Sequence, residues 1–453
     1  MSGIARLLAE LGRTVSGSDC SANALTESLE ALGIPVRIGH AAGHLGQADA
    51  VVYSSSITPN NPELLAARNR GLPTFHRGLM VANLMQSKRV IAVTGAHGKS
   101  TTASMLAQTL LGTGWDPTAL LGAELPVFGS SARWGKSDYA VVEADESDGS
   151  LLWLRPRIGI ITNMDEEHLD YFRNTDEITQ MYTDFARHVD SGGLLVGCVD
   201  DPKVRQLFKR VSSKQITYGL CAQADVRARR IESIAGSSRY DCWIDGRRAG
   251  SVELQVPGRH NVVNSLAVLA VAHRLGIDLE MVRLALRSYR GARRRFQILG
   301  EPGGVLIVED YGHHPAEVAA TLEAARSWPD RRIICVFQPH RYSRTKHFMN
   351  EFGPSFRKAD QVELLPIYSA SEDPIEGIGS HALAEKIREA GVPVSVAVSA
   401  DALLERLGAQ LKSGDMLLFM GAGSVGPLAH QFYKQFCASQ AEKGDYVGLV
   451  PVG

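Results

Sequence analysis

The segment around residues 90–111 constrains the fold more than any other part of the sequence. An apolar strand at residues 90–94 runs into a loop containing Gly95 and Gly98, and a helix with apolar residues at helical spacing follows. A buried strand, a tight loop and a helix in this order are typical of parallel sheets in α/β proteins. Backbone N–H groups of such a loop, together with the helix N-terminus, bind phosphate. The segment therefore predicts a parallel sheet with a phosphate site.

Two side chains of this loop point to a nucleoside triphosphate. Lys99 is expected to reach the terminal phosphates, and the hydroxyl of Ser100 is expected to bind Mg²⁺. The first glycine of the usual pattern would fall at Val93, so the loop is a shortened variant. The alternative is a glycine-rich turn with a chance lysine, but strand, loop and helix are in register. The residues predicted to contact ATP here are Gly95, Ala96, His97, Gly98, Lys99, Ser100 and Thr101.

Polar residues follow two further apolar strands. The run 143–148 begins with Glu143 at the end of one strand, and His168 follows the next strand along the chain. Because the carboxyl ends of parallel strands meet at one edge of a sheet, Glu143 and His168 are candidate ligands of the metal that accompanies ATP. The alternatives are a solvated acidic loop and a structural histidine.

Composition excludes several classes of protein. The chain has 453 residues, which is too long for one ordinary domain, with 48 Lys and Arg against 49 Asp and Glu. A net charge near zero argues against nucleic-acid binding and against an anionic membrane surface. The six cysteines show no metal spacing, and no apolar run reaches membrane-spanning length. We expect a cytoplasmic protein without membrane insertion, and the sequence leaves open a monomer or a homodimer.

The alternation of strand and helix signals predicts three α/β domains with parallel sheets throughout. The predicted boundaries are 1–86 for an N-terminal Rossmann-like domain, 87–293 for a central ATPase domain and 294–453 for a C-terminal Rossmann-like domain. Residues 1–86 carry the signals of half a doubly wound sheet.

At this point several ordered motifs resemble the Mur ligase family. They are residues 94–100, residues 143–148, His168, the segment 258–264 and the segment 291–296. The resemblance implies an ATP-dependent ligase in peptidoglycan precursor synthesis, with Lys99 and Arg295 in catalysis. It also implies adenine-side contacts from His260, Asn261 and Asn264, a phosphate contact from Arg295, and a hinge near that arginine. Gln297 departs from the family pattern, in which an acidic residue is expected.

Two later segments narrow the resemblance. Residues 310–315 and 338–345 look like those of the members that join L-alanine to UDP-N-acetylmuramate through an acyl phosphate. The implied amino-acid residues are Tyr311, His313, His314, His340, Arg341 and Arg344, with His314 also placed in catalysis. An arginine can bind the amino acid's carboxylate in a bidentate fork. The sequence does not say which histidine serves the amine, and the three could instead only brace the loops.

Two other functions stay open: a nucleotide-gated switch, and a recycling ligase that attaches a whole peptide to the same acceptor. The arginine and histidine cluster argues against the first, and the run 340–344 argues against the second.

The first domain is expected to bind the UDP-sugar. The residues predicted for it are Ser18, Asp19, Ser54, Ser55, His76 and Arg77. In the family, a strand and a glycine loop precede the helix that here begins at Met1, so we expect both to be missing from this sequence. Of the two explanations, a start codon placed too late and a naturally shortened chain, we favour the first.

Residues 421–426 fit the dinucleotide pattern G-x-G-x-x-G. The pattern lies near the end of the sequence, with no second nucleotide-binding half after it. We therefore interpret it as a tight turn at the edge of the third domain's sheet and not as an NAD site.

Overall fold

The computed structural model describes residues 1–165, residue 172 and residues 174–442. The chain forms two compact units. The first contains Met1–Arg229, Asp241–Val252 and Val263–Ser288, and the second contains Arg230–Tyr240, Glu253–Val262 and the described chain from Tyr289 onward. Strands and helices alternate through both units, so the α/β class predicted from the sequence is confirmed.

The N-terminal part of the first unit holds two short parallel pairs of strands. Its helices are α1 (Ser2–Glu10), α2 (Ala24–Ala31), α3 (Pro62–Asn69) and α4 (Arg77–Leu84). Its strands are β1 (Gly17–Asp19), β2 (Val36–Ile38), β3 (Val51–Tyr53) and β4 (Thr74–His76). β1 pairs with β2, and β3 pairs with β4, but the two pairs belong to separate sheets. Both pairs are parallel and alternate with helices, as predicted for a Rossmann-like part of the chain, and no ladder joins the two pairs among the described residues.

A large sheet forms the centre of the first unit. The strands of this part of the chain are β5 (Arg89–Thr94), β6 (Thr118–Leu125), β7 (Ser130–Arg133), β8 (Tyr139–Glu143), β9 (Ile158–Ile161), β10 (Leu194–Cys198), β11 (Gln215–Gly219), β12 (Val226–Ile234), β13 (Ser237–Ile244) and β14 (Arg247–Leu254). The helices are α5 (Lys99–Gly112), α6 (Thr175–Arg187), α7 (Pro202–Phe208), α8 (Arg259–Arg274) and α9 (Leu279–Ser288).

Strand β5 lies in the middle of this sheet, between β8 and β9, and pairs with both in parallel. Five of its six residues are buried, which is typical of a strand covered by helices on both faces. Further out, β7 runs antiparallel to β6. The prediction of parallel sheets throughout was wrong here, because a short connection joins β6 to β7 and leaves no room for a crossover helix.

The second unit is built on a six-stranded sheet. Its strands are β15 (Gln297–Gly300), β16 (Leu306–Asp310), β17 (Arg332–Phe337), β18 (Gln361–Leu364), β19 (Val394–Val396) and β20 (Asp415–Met420). Its helices are α10 (Pro315–Ala325), α11 (Tyr342–His347), α12 (Met349–Ser355), α13 (Ser380–Glu389), α14 (Ala400–Gln410) and α15 (Val425–Glu442). The strand order is β15-β16-β20-β17-β18-β19. β15 is antiparallel to β16, again through a short connection, and the other pairs are parallel.

Alternate residues of the inner strands of the second unit enter two different apolar cores. On β17, Ile333 and Cys335 pack into one cluster, whereas Ile334 and Val336 pack into the other. Because successive side chains of a strand point to opposite faces, the sheet has a core on each side. This arrangement confirms a doubly wound sheet in the C-terminal part of the chain.

Candidate functional site

The phosphate loop (Gly95–Ser100) follows β5 directly and leads into α5. Gly95 and Gly98 have φ values of +127° and +80°, in the region that L residues rarely adopt. A Cβ on Gly95 would lie 2.9 Å from the backbone nitrogen of Asn163. The two glycines are therefore required by the backbone conformation and by the close approach of the neighbouring strand end.

Polar groups after β9 hold the middle of this loop. The Asn163 side chain accepts a hydrogen bond from His97 N–H at 2.8 Å and donates to the His97 carbonyl at 2.9 Å. Thr162 Oγ1 donates to the same carbonyl at 2.7 Å, and the His97 ring lies 3.2 Å from Asp165. The predicted phosphate loop is thus fixed in place by the end of the adjacent strand.

Lys99 is the cation of the loop. Its Nζ donates to the carbonyls of Gly95 and Ala96 at 2.7 and 3.0 Å and to Glu146 Oε1 at 2.6 Å. These contacts fold the lysine back over the loop, which is the position from which an ammonium group can reach a bound phosphate.

Ser100 and Glu143 form a set of oxygen donors beside the loop. Ser100 Oγ donates to Glu143 Oε1 at 2.8 Å, and Gly122 N–H donates to Glu143 Oε2 at 2.6 Å. Hydroxyl and carboxylate oxygens are ligands that Mg²⁺ prefers, so the two residues predicted as ligands fit that ion. His168, the third predicted ligand, lies outside the described residues.

The remaining predicted ATP residues are divided between the units. Asn264 belongs to the first unit, where a Cβ on Gly98 would lie 2.6 Å from Asn264 Oδ1. Thr101 is in the first turn of α5, and its carbonyl accepts the Ser104 hydroxyl. His260 and Asn261 belong to the second unit, where the Asn261 amide donates to the Pro257 carbonyl at 2.7 Å and burial lowers the pKa of His260 to about 4.

Three of the residues predicted for the UDP-sugar meet at the acidic loop after β8. Arg77 donates to Asp148 from Nε at 3.1 Å and from an Nη at 2.9 Å, and it also reaches Asp145 at 3.1 Å. Ser55 donates to Asp148 and lies 3.0 Å from His76 Nε2. Burial alone would raise the pKa of Asp148, but hydrogen bonds from Ser150 and Ser55 and the Arg77 charge hold it at about 2.

The other three predicted UDP-sugar residues do not join this group through any described hydrogen bond. Ser18 lies on β1 and contacts His40 Nδ1 at 3.1 Å, whereas the Asp19 carboxylate accepts Ser21 N–H. The Ser54 carbonyl accepts Ile57 N–H in the turn after β3.

In the second unit, the predicted amino-acid residues cluster after β16 and β17. The His340 ring stacks on Tyr368 with centroids 5.5 Å apart, and its Nδ1 accepts a hydrogen bond from Arg344 at 3.0 Å. The His313 ring stands edge-on to His340 at 5.7 Å and to Tyr311 at 5.4 Å. Five predicted residues, Tyr311, His313, His340, Arg341 and Arg344, thus come from two strand ends; with Tyr368 we call them the amino-acid cluster.

The histidines of this cluster are neutral at physiological pH. Burial and the Arg344 charge lower the pKa of His313 to about 3 in spite of Glu317, and burial with Arg344 and Arg341 lowers that of His340 to about 4. His313 Nδ1 lies 3.0 Å from the Tyr311 carbonyl, so this nitrogen carries the proton and Nε2 is an acceptor. His340 accepts at Nδ1, so its Nε2 is a donor. Only His313 therefore presents an unprotonated Nε2.

Arg341 has an unusual backbone. Its φ of +69° places a non-glycine residue in the sparsely populated left-handed half of conformational space. The Arg341 guanidinium lies 3.9 Å from Glu372, which also accepts from the Ser343 backbone and hydroxyl. Strained residues of this kind concentrate at ligand sites, and the role of Arg341 stays a prediction.

His314 and Arg295, the two residues of this unit predicted to act in catalysis, both contact neighbouring side chains or backbone. His314 Nδ1 accepts Ala316 N–H at 3.3 Å and caps α10, while its ring packs against Phe348. Arg295 lies over the Tyr311 ring at 5.2 Å, and its charge acts on Asp310. Neighbouring Arg294 bonds to Glu309 at 2.9 Å, and Gln297 accepts Arg294 N–H.

Sequence reasoning missed Asn163, Tyr368 and Glu372. Asn163 follows β9 closely, and this position at the end of an apolar strand was the available signal. Tyr368 and Glu372 come from the loop after β18, and no local pattern marks them. The turn at 421–426 follows β20, which is an interior strand of its sheet, and there Gln338 accepts Val425 N–H at 3.0 Å.

The chain belongs to the Mur ligase family. It matches the Mur ligase family catalytic domain over residues 1–89, the Mur ligase middle domain over 93–272 and the glutamate ligase domain over 294–423.

Among its relatives, the UDP-N-acetylmuramate–L-alanine ligase of Anaeromyxobacter sp. (strain Fw109-5) is 45% identical over 425 residues, covering 94% of this chain and 93% of the relative. The crystal structure of the UDP-N-acetylmuramate-alanine ligase of Thermotoga maritima has a TM-score of 0.85 and 26% identity, with 97% of each chain covered. A murein peptide ligase from Psychrobacter arcticus shares the fold at a TM-score of 0.71 and 23% identity, with 99% of this chain and 97% of that chain covered. In the described residues, no helix is long and apolar enough to cross a membrane.

Proposed function

We propose that the protein uses ATP to join L-alanine to UDP-N-acetylmuramate, a step of peptidoglycan precursor synthesis. The observation that carries the proposal is that one chain contains both an ATP-type phosphate loop, in the first unit, and an arginine and histidine cluster, in the second unit. A nucleotide-gated switch would need the loop but not the cluster. Two of the relatives named above, from Anaeromyxobacter and Thermotoga maritima, are named as ligases of UDP-N-acetylmuramate and alanine, and each covers nearly the full length of this chain.

In the first step the γ-phosphoryl group of ATP passes to the muramate carboxylate and forms an acyl phosphate. Charge on the phosphoryl oxygens spreads during transfer, so fixed cations stabilise the transition state. Lys99 supplies such a cation, because loop carbonyls orient its ammonium group. We assign Arg295 a second contact to phosphate.

We also propose that Ser100, Glu143 and His168 hold Mg²⁺. When bound, this ion supplies Lewis-acid neutralisation of phosphate oxygens. Glu143 would serve as a ligand because one of its oxygens is already oriented by Gly122 N–H while the other faces the Ser100 hydroxyl.

In the second step the amine of L-alanine attacks the acyl carbon and forms the carbon–nitrogen bond. The bond between the acyl carbon and the phosphate oxygen breaks, and inorganic phosphate leaves with its electron pair. Arg341 is assigned to the carboxylate of L-alanine, because a guanidinium binds it bidentately. The ammonium group must lose a proton before attack. His313 Nε2 is the acceptor available for hydrogen bonding to the amine, although its low pKa makes it an orienting group and not a strong base.

For the N-terminal part of the chain, we assign His76, Arg77 and Ser55 to the UDP-sugar, with Ser18, Asp19 and Ser54 as further candidates. Arg77 is the cation that we assign to the diphosphate, since a guanidinium fork binds phosphate oxygens bidentately. The domain boundaries at residues 86 and 293 also remain our proposal.

The deciding experiment measures phosphate release with ATP and UDP-N-acetylmuramate in the presence of L-alanine, glycine, L-serine or the recycled tripeptide. We expect the highest kcat/KM with L-alanine. A higher kcat/KM with the tripeptide would indicate a recycling ligase, and ATP turnover that ignores every amino acid would indicate a switch.

A further inference from the structure

The first unit has a cavity of about 170 Å³ at the edge of its sheet opposite the phosphate loop. Arg89 and Tyr139 begin β5 and β8, and Lys214 immediately precedes β11. All three line the cavity. The phosphate loop follows the carboxyl end of β5. Six residues of strand separate the two ends, roughly 20 Å at the usual rise per residue.

Four cations line this cavity: Arg89, Arg157, Lys214 and Arg274. None of the lining residues in the described part of the chain is acidic. Asp138 is the carboxylate whose charge acts on Arg89, and it lies outside the lining. In a chain with a net charge of −1, four exposed cations that line one cavity are a local concentration of positive charge that favours anions.

Two glycines, Gly192 and Gly193, line part of the cavity with backbone atoms only. Gly192 has a φ of +83°, and a Cβ there would lie 3.7 Å from an Arg157 Nη. A Cβ on Gly193 would lie 2.7 Å from the Arg157 carbonyl oxygen. The two glycines therefore keep the space beneath Arg157 clear of side chains.

We propose that this cavity binds a small, multiply charged phosphate anion, of the size of pyrophosphate. Arginine forks match phosphate oxygens, and three of the four cations are arginines. The cavity volume of about 170 Å³ suits a small anion better than a whole nucleotide, since pockets that enclose drug-sized ligands measure about 300–1,000 Å³. We name this the amino-edge site; it is separate from the site proposed for ATP.

The amino-edge site contacts two elements that also build the phosphate loop. β5 begins at Arg89 and ends at that loop, and α8 ends at Arg274 after presenting Asn264 to Gly98. An anion bound here would therefore contact β5 and α8 at the ends that lie away from the proposed ATP site.

The test is calorimetric titration of the full chain with pyrophosphate at low ionic strength, with saturating ADP present to fill the phosphate loop. The variant Arg157→Glu with Lys214→Glu reverses the charge of two of the four lining cations. Lys209→Glu with Arg210→Glu is the matched control, since both of its side chains are exposed and outside the cavity. We expect binding by the wild type and the control, and at least about tenfold weaker binding by the first variant.

Retained ADP affinity in each variant shows that the unit is folded. If the charge-reversed variant folds poorly, Arg157→Gln with Lys214→Gln replaces it, with the same expected direction. Absence of pyrophosphate binding by the wild type, equal affinity in both variants, or preference for an acidic peptide over pyrophosphate would overturn the proposal.

Discussion

Lys99 and Glu146 form an ion pair at the phosphate loop, with 2.6 Å between Nζ and Oε1. The side chains are only 13% and 3% exposed, so the pair is shielded from solvent. The lysine makes two further hydrogen bonds to loop carbonyls. Its charge thus serves the loop and not an apolar core, which makes the residue a direct test of the proposed ATP site.

Lys99→Ala is expected to lower the rate of ATP-dependent ligation about 100- to 1,000-fold, because one charge contact to the transition state is lost. The measurement is steady-state phosphate release, with Lys209→Ala as the control for an exposed lysine. The circular dichroism spectrum should be unchanged. A Lys99→Ala protein with more than about a tenth of the wild-type rate would contradict the assignment.

Glu143→Gln is expected to raise the Mg²⁺ concentration needed for half-maximal activity. The amide keeps the size of the side chain but removes the negative charge that a divalent cation requires. A Mg²⁺ titration of activity at saturating ATP measures this, with exposed Glu30→Gln as the control. His168→Ala should shift the titration in the same direction. If neither variant differs from wild type, the two residues are not metal ligands.

Arg341→Lys is expected to raise KM for L-alanine much more than KM for ATP. Lysine keeps the positive charge but not the planar fork. The contact with the carboxylate of L-alanine is therefore weakened, whereas the contacts of other residues with ATP phosphates are unchanged. The two KM values are measured with the other substrates saturating. Equal increases of KM for ATP and for L-alanine would instead indicate that Arg341 contacts a phosphate group.

His313 makes folding stability dependent on pH. Burial keeps its folded pKa near 3, whereas an unfolded histidine titrates near 6.5, so the unfolded chain binds the proton first. Stability is therefore fully present above pH 6.5 and falls as the pH decreases toward 3, by up to about 2 kcal/mol at pH 5.

His313→Asn removes this contribution. The urea midpoint of the second unit should fall less between pH 7 and pH 5 in His313→Asn than in the wild type. Exposed His381→Asn serves as the control and should behave as the wild type. Identical losses in all three proteins would show that His313 does not titrate differently on unfolding.

Sequence predicted best those parts of the molecule that are continuous in the chain. The phosphate loop was identified because Gly95, Gly98 and Lys99 occupy one short segment between a buried strand and a helix, where local conformation decides the structure. The strand end carrying Glu143 was found in the same way, whereas Arg341 was predicted from the resemblance to the Mur ligase family. Tyr368 and Glu372 were not predicted. Tertiary folding brings the loop after β18 close to His340 and Arg341, and no residue spacing in the sequence indicates this contact.

The direction in which neighbouring strands pair could not be predicted from the sequence either. Apolar alternation predicts where a strand lies, but it does not say that β7 and β15 turn back on their neighbours. The short connections decide that direction. Nor did the sequence show that Arg77 would pair with Asp145 and Asp148, since about 70 residues separate them and both charges also suit a solvent-exposed surface.

The position of β20 has a consequence for biosynthesis. This strand is the last of its sheet to be translated, yet it lies between β16 and β17 and pairs with both. While a ribosome is still synthesising the segment before residue 415, those two strands have no partner between them. Their open edges expose hydrogen-bonding groups on apolar strands, which favours aggregation or chaperone binding. The second unit therefore completes its sheet only after residues 415–420 have been synthesised, and nascent chains stalled before β20 should be the most dependent on chaperones.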